Sequence, residues 1–138
     1  MRDNRLLRTV KTGNPAFGPS LCTGSPAVVE VMGQFPFQWI NIDVEHTPYS
    51  SYERVEHICR AADLAGLTPI ASIPECDPVH IAKLSEAGIM GFIVGHTITG
   101  SGAQRSVDSA KYPPAGRRGA APTVRQLGYP LSTANWPD

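Results

Sequence analysis

The stretch WINIDVEH, residues 39–46, decides the fold, because in it an apolar strand passes directly into a cluster of titratable side chains. The strand is predicted over residues 37–43 (FQWINID), where apolar side chains stand at neighbouring as well as alternating positions. That pattern is typical of a strand covered on both faces, as in a parallel sheet flanked by helices. The sequence around residues 39–46 therefore predicts an α/β fold.

Predicted strands and helices alternate on both sides of this stretch. The other strands are predicted at residues 17–23, 69–73 and 91–94, and the helices are predicted to begin at Ser25-Pro26, Ser50, Asp77-Pro78 and Gly102. Here strands and helices alternate at intervals of about 20 to 30 residues, which is close to the length of one βαβ unit. Such alternation indicates a parallel sheet. From the residues alone the sheet could belong to a barrel or to an open doubly wound layer, although no G-x-G-x-x-G follows the first strand.

Composition and charge narrow the range of partners. The 138 residues fit one domain, and twelve Lys and Arg residues balance twelve Asp and Glu residues, which argues against a nucleic acid or an anionic membrane as the partner. No apolar run approaches the roughly 18 residues of a membrane span, and the first residues lack the apolar core of a secretory signal. The three cysteines form no CxxC pair, which indicates reduced thiols. We therefore expect a cytoplasmic protein.

The candidate acid–base cluster consists of Asp43, Glu45 and His46. In parallel β/α folds ligands bind beyond the carboxyl ends of the strands, and Asp43 ends a predicted strand just before His46. A carboxylate beside an imidazole suits general acid–base chemistry, and His96, after the fourth strand, could face the same end. The alternative is an exposed loop histidine beside a capping aspartate.

The region from Lys111 onward differs from the rest, because it is rich in proline and has little periodicity. It is predicted to be loop and tail, in part disordered. Its double arginine, Arg117-Arg118, could bind an anion. The alternative is a solvated turn, or a pair with a nearby carboxylate.

Several motifs together resemble the HpcH/HpaI aldolase family, which consists of metal-dependent class II aldolases acting on pyruvate-containing substrates. WINIDVEH resembles the second-strand motif of that family. The resemblance continues, in order and with the spacing kept, through AGLTPI (65–70), IPE (73–75), EAGIMG (86–91), KYPP (111–114) and GRRG (116–119). It covers about residues 13 to 119 and concerns the N-terminal half of the family only.

The resemblance implies a partial (β/α)8 barrel of about four β/α units. The division would be an N-terminal extension at residues 1–12, the barrel domain at 13–119 and a proline-rich tail at 120–138. It also implies an oligomer and a divalent metal, Mg, Mn or Co, that stabilises a pyruvate enolate. His46 would be the general acid–base group and Asp43 its orienting partner, in the reversible cleavage of a 4-hydroxy-2-oxo acid to pyruvate and an aldehyde.

The sequence departs from the family pattern in three respects. Ser72 stands where the family has an arginine that contacts the pyruvate oxygen, and Gly95 stands where it prefers proline. The family's metal ligands lie on strands five and six, which this sequence does not reach, so no metal ligand is predicted here. Three hypotheses follow: a lyase of impaired activity, a non-catalytic pseudoenzyme or assembly partner, or a small biosynthetic enzyme that uses His46 without metal. Because four parallel strands leave unpaired edges, we also expect self-association or pairing with another barrel chain.

Overall fold

The fold is a four-stranded parallel sheet with helices between the strands. The computed structural model describes residues 3–48, 51–121 and 123–129. The strands are β1 (Ser20–Leu21), β2 (Trp39–Asp43), β3 (Thr68–Ile73) and β4 (Phe92–Val94). The helices are α1 (Arg5–Lys11), α2 (Pro26–Met32), α3 (Tyr52–Leu64), α4 (Pro78–Ala87) and α5 (Gly100–Ala110), followed by a 3-10 turn at Arg125–Leu127.

The strands follow one another in the sheet in the order β1-β2-β3-β4, and every neighbouring pair is parallel. A doubly wound layer would reverse the strand order at a switch point, and the described sheet has no such reversal. Sequential parallel order is the winding of a β/α barrel. The sheet therefore resolves the choice that the residues alone left open.

The register places a polar row on one face of the sheet. Asn41 pairs with Ser20 of β1 and Ile70 of β3, and Asp43 pairs with Ser72. Because successive side chains in a strand point to opposite faces, these five residues share one face. This face carries the predicted site residues Asp43 and Ser72.

The opposite face packs beneath helices α2, α3 and α4 and forms the hydrophobic core. Its largest members are almost fully excluded from solvent: Leu21, Val29, Ile40, Val55, Ile58, Ile73, Ile81, Leu84 and Ile89. Burying each such side chain stabilises the fold by about 1.5 to 3 kcal/mol. Ile70 is also buried but lies outside this cluster, which agrees with its place on the polar face.

The helix starts are explained by their caps. Asp77 accepts a hydrogen bond from the backbone N–H of Val79, and Pro78 occupies the first turn of α4, as predicted. The predicted start of α2 at Ser25-Pro26 is also confirmed. The cap of α3 is Ser51, which accepts from the N–H of Arg54; Ser50, predicted in that role, lies outside the described residues.

One prediction at the N-terminal side was wrong, and one helix was missed. The first strand spans two residues rather than 17–23, since Gly18 and Pro19 leave little to pair. Helix α1 was missed because it has only seven residues and none of them is buried. It is capped by Asn4, whose side chain also donates to the carbonyl of Met90, while the N–H of Leu6 donates to Thr68. Helix α1 thus contacts the start of β3.

The described part of the segment after α5 contacts the helices. The N–H groups of Arg117 and Arg118 donate to the carbonyls of Asp108 and Lys111, which fastens the GRRG turn to the end of α5. Further on, Arg125 pairs with the carboxylate of Asp63 on α3. The predicted loop therefore folds back onto the helices. Helix α5 also begins two residues earlier than the predicted Gly102.

Among the described helices, none combines the length and the apolar character that a bilayer crossing requires.

Candidate functional site

Glu45 is the centre of the candidate site at the carboxyl ends of β2 and β4. Its carboxylate oxygen Oε1 lies 3.6 Å from Nε2 of His46 and 3.5 Å from Nε2 of His96. The Glu45 side chain is only 15% exposed, whereas the two histidine side chains are 76% and 78% exposed. A largely buried carboxylate thus lies beside two solvent-facing imidazoles.

Asp43 acts on the backbone of the turn that presents His46. Its Oδ1 accepts hydrogen bonds from the N–H groups of Glu45 (3.1 Å) and His46 (3.0 Å). Such an Asx turn fixes the direction in which the chain leaves β2. In this structure the carboxylate next to the His46 ring is that of Glu45, so the orienting role predicted for Asp43 stays a prediction. The structure shows that Asp43 stabilises this turn through two hydrogen bonds with backbone N–H groups.

His96 joins the site through an unusual backbone conformation. Its φ is +49°, in the left-handed region that non-glycine residues seldom adopt but that histidine visits more often than most. The preceding Gly95 donates its N–H to the carbonyl of Ile73 at 2.8 Å. A Cβ at Gly95 would lie 3.0 Å from the carbonyl oxygen of Pro74 and 3.2 Å from both carboxylate oxygens of Glu45. Glycine at this position therefore lets the Glu45 carboxylate reach the end of β4.

Ser72 belongs to a hydrogen-bonded row across three strands. Its hydroxyl donates to Oδ1 of Asn41 at 2.9 Å, and Nδ2 of Asn41 lies 2.6 Å from the same hydroxyl and 3.0 Å from that of Ser20. Asn41 is buried, so this row satisfies an amide that would be costly to leave without partners. Sequence reasoning missed Ser20 and Asn41. Their place on the face of Asp43 was the signal that could have found them.

The described residues do not provide a closed ligand set for the divalent metal that the resemblance implies. Across residues 3–48, 51–121 and 123–129, no group of three or more His, Cys, Asp or Glu side chains is arranged to hold a metal ion. Glu45 with its two histidines is held together by direct contacts instead.

The other two histidines make contacts that do not involve Glu45. His57 lies on α3 with Nε2 4.0 Å from Glu53, and Nδ1 of His80 contacts the hydroxyl of Tyr52 at 3.0 Å. Cys22 is exposed, Cys59 is buried and Cys76 is half-buried, and no disulfide joins these three described residues.

Comparisons with known proteins find that the sequence is similar to those of aldolases. The chain is 36% identical over 119 residues to a 4-hydroxy-4-methyl-2-oxoglutarate aldolase of Hapsidospora irregularis, a match that covers 84% of the chain and 43% of that protein. It is 29% identical over 120 residues to a 2-dehydro-3,6-dideoxy-6-sulfogluconate aldolase of Pseudomonas putida, covering 87% and 47% respectively. No protein-family profile matches the chain.

A solved structure shows the same fold. The HpcH/HpaI aldolase of Desulfitobacterium hafniense superposes with a TM-score of 0.86 at 26% identity, over 97% of this chain and 52% of that one. The chain thus spans about half the length of the relatives that it matches, and its fold is a partial β/α barrel. Over about half of a family member's length, the sequence and the fold of this chain are similar to those of HpcH/HpaI aldolases.

Proposed function

We propose that this chain contributes the acid–base part of an aldolase site that cleaves a 4-hydroxy-2-oxo acid to pyruvate and an aldehyde. The observation that carries the proposal is the contact of Glu45 with His46 at the carboxyl end of β2, where β/α barrels bind their substrates. The matched relatives are named as aldolases, which supports lyase chemistry of this type. The small-molecule substrate would be an oxo acid.

The chemistry requires one group that takes and returns a proton. His46 removes the proton from the 4-hydroxyl, the bond between C3 and C4 breaks, and the electron pair passes to the enolate of pyruvate as the aldehyde leaves. The enolate then takes up a proton at C3. An exposed imidazole that already contacts a carboxylate fits this role, because its ring is positioned before the substrate arrives.

Glu45 is a positioning residue in this proposal. It touches the His46 ring rather than the substrate, and its partial burial limits its own movement. Asp43 supports the same geometry from the backbone side, through the turn that it caps. Misplacing a catalytic group by about 1 Å can cost on the order of 100-fold in rate, so both carboxylates contribute through geometry.

Ser72 is expected to make this site weaker than that of a relative with arginine at the same position. Its hydroxyl already bonds with Asn41, and a neutral hydroxyl cannot supply the fixed charge of a guanidinium. Removing an electrostatic contact to a developing oxyanion costs about 100-fold or more. We therefore expect slow turnover rather than the absence of chemistry.

A second candidate, a non-catalytic assembly partner, is favoured by a different observation. Ile93 of β4 pairs in register with Ser72 and therefore lies on the polar face of the sheet. Its aliphatic side chain is 51% exposed, so no described residue fully covers it. Such a face is suited to contact with another barrel chain, or with a second copy of this one. A role as an assembly partner explains why serine, and not the family's arginine, can stand at position 72, because such a role requires no catalytic activity.

The experiment that tests the proposed function measures pyruvate release from 4-hydroxy-2-oxo acids by the complete protein that carries this chain. We expect Glu45→Gln to lower kcat by about 10- to 100-fold with little change in KM, because the substitution displaces the base and removes no substrate contact. Glu53→Gln is the matched control, since Glu53 contacts His57 on α3 in a similar way. Absence of pyruvate release by the unsubstituted protein would favour the assembly partner, whereas equal release by Glu45→Gln would refute the positioning role of Glu45.

A further inference from the structure

A buried arginine without hydrogen-bond partners marks a second site, away from Glu45. Arg118 is 4% exposed, and its side-chain nitrogens Nε, Nη1 and Nη2 have no hydrogen-bond partner within the described residues. An unpaired buried charge is strongly destabilising, so proteins normally supply it with an opposite charge or a ligand. The acid–base chemistry proposed above makes no use of Arg118.

Arg118 lines a cleft of about 600 Å³ between α4 and α5. Three further cationic side chains line the same cleft, Lys83, Arg105 and Arg117, against the two carboxylates of Glu86 and Asp108. The Asp108 carboxylate is already engaged, because its Oδ1 accepts a hydrogen bond from Gln104 at 2.8 Å. The balance of charge in the cleft is therefore positive.

The guanidinium of Arg118 is enclosed by the protein as well as unpartnered. Its nitrogens Nε, Nη1 and Nη2 are almost fully shielded from solvent, and its Cζ lies 4.8 Å from the centroid of the Tyr112 ring. The N–H groups of an arginine form a fork that binds carboxylate or phosphate oxygens. The backbone N–H of Arg118 donates to the carbonyl of Lys111, which holds the backbone from which the side chain extends.

Neighbouring groups do not neutralise this charge. Burial lowers the pKa of Arg118, while Tyr112 and Glu86 raise it through their charges. Arginine remains protonated under all ordinary conditions, so the cation persists. Glu86 is close enough to act on Arg118 electrostatically, yet it makes no hydrogen bond with the guanidinium.

A second cavity next to Arg118 suits an anion less well. It measures about 440 Å³, and apart from Arg117 and Arg118 its lining consists of Tyr112, Pro113, Gly119, Ala120 and Leu127. Only the cleft between α4 and α5 brings additional cations to the same arginine.

We infer that the cleft between α4 and α5 is a binding site for a small oxyanion, a carboxylate or a phosphate group, with Arg118 as its anchor and Arg105 and Arg117 at its mouth. Arg105 and Arg117 are exposed and so can turn towards an incoming ligand. The inference does not rest on the proposed aldolase function, because no residue of the Glu45 cluster lines this cleft.

The test is calorimetric titration of the complete protein with sodium phosphate and, separately, with sodium acetate, at ionic strength held constant with sodium chloride. We expect saturable binding of one anion per chain with a Kd of about 1 mM or tighter for at least one probe. Preference for one probe identifies the source of the oxyanion as a phosphate or a carboxylate compound. Saturable binding of neither probe would overturn the inference.

Four variants locate the site. Arg118→Gln should weaken binding by about 10- to 100-fold, which is the range of a charge-assisted hydrogen bond. Arg105→Gln should weaken anion binding less. If Arg118→Gln fails to fold, the effect of Arg105→Gln on anion binding tests the location of the site. Arg8→Gln is the matched control, because Arg8, on α1, is an exposed arginine that pairs with Asp3. Glu86→Gln should tighten binding, since it removes a competing carboxylate.

Some results would contradict the inference directly. Binding that is equal in Arg118→Gln, Arg105→Gln and Arg8→Gln would show that the anion does not occupy this cleft. Equal loss of stability in Glu86→Gln and Arg118→Gln, together with unchanged anion binding, would show that Glu86 itself is the partner of Arg118.

Discussion

Gly95 offers a sharp test of the geometry around Glu45, because a single methyl group there meets the site. In Gly95→Ala the new Cβ would lie 3.0 Å from the carbonyl oxygen of Pro74 and 3.2 Å from both Glu45 carboxylate oxygens. Ordinary van der Waals contact begins at about 3.4 Å. The Pro74 oxygen belongs to the backbone and yields little, so the Glu45 side chain must move by a few tenths of an ångström.

The size of the effect follows from two opposing contributions. Overpacking costs about 1 to 3 kcal/mol, while replacing glycine by alanine stabilises by about 0.4 to 1 kcal/mol through the unfolded state. We therefore expect Gly95→Ala to lower the free energy of unfolding by about 1 kcal/mol, or the Tm by about 3 to 5 °C. Displacing Glu45 should also loosen its contacts with His46 and His96, which lie 3.6 and 3.5 Å away.

The measurement combines urea denaturation with NMR of the histidine rings. Gly100→Ala is the matched control, because a Cβ at Gly100, the first residue of α5, meets nothing within 4 Å. The control should be slightly more stable than the unsubstituted protein and should leave the ring signals of His46 and His96 in place. If Gly95→Ala is as stable as the control and moves neither ring signal, the described packing of Glu45 against Gly95 is wrong.

Three further predictions concern the fold and its edges. Asp77→Ala should destabilise the protein by about 1 kcal/mol in urea denaturation, because it leaves the N–H of Val79 without its cap; an unchanged midpoint would show that the cap contributes nothing. Leu84→Ala should cost about 2 to 5 kcal/mol, since Leu84 is fully buried, whereas Leu64→Ala, at a position 87% exposed, should stay within about 0.5 kcal/mol. Light scattering should show self-association that Ile93→Lys weakens, and a sharp monomer peak for the unsubstituted protein would contradict this expectation.

The order of strands and helices could be predicted because each element carries a local signal. Residues 37–43 have the apolar pattern of a covered strand, and Asp77-Pro78 combines a side-chain cap with a proline that fits the first turn. Helix α1 could not be found in this way. Asn4 caps it and it contacts the start of β3 through Leu6, and neither contact leaves a periodic pattern in the sequence.

The candidate site could be predicted in its location but not in its contacts. The position of His46 after a predicted strand end placed it at the carboxyl edge of the sheet, and β2 does end at Asp43. That Glu45, rather than Asp43, touches the imidazole depends on the turn that Asp43 caps, and the approach of His96 depends on a positive φ after Gly95. Both are properties of loop conformation, which spacing along the chain does not encode.

The acid–base role of His46 is tested most directly by the exchange of pyruvate methyl protons with deuterium, followed by NMR in heavy water. The complete protein is compared with His46→Ala and with His57→Ala, whose histidine also contacts a glutamate but lies on α3. We predict that exchange occurs, that His46→Ala slows it by about 100-fold or more, and that His57→Ala leaves it unchanged. Exchange that persists in His46→Ala, or that does not occur in the unsubstituted protein, would contradict the proposal.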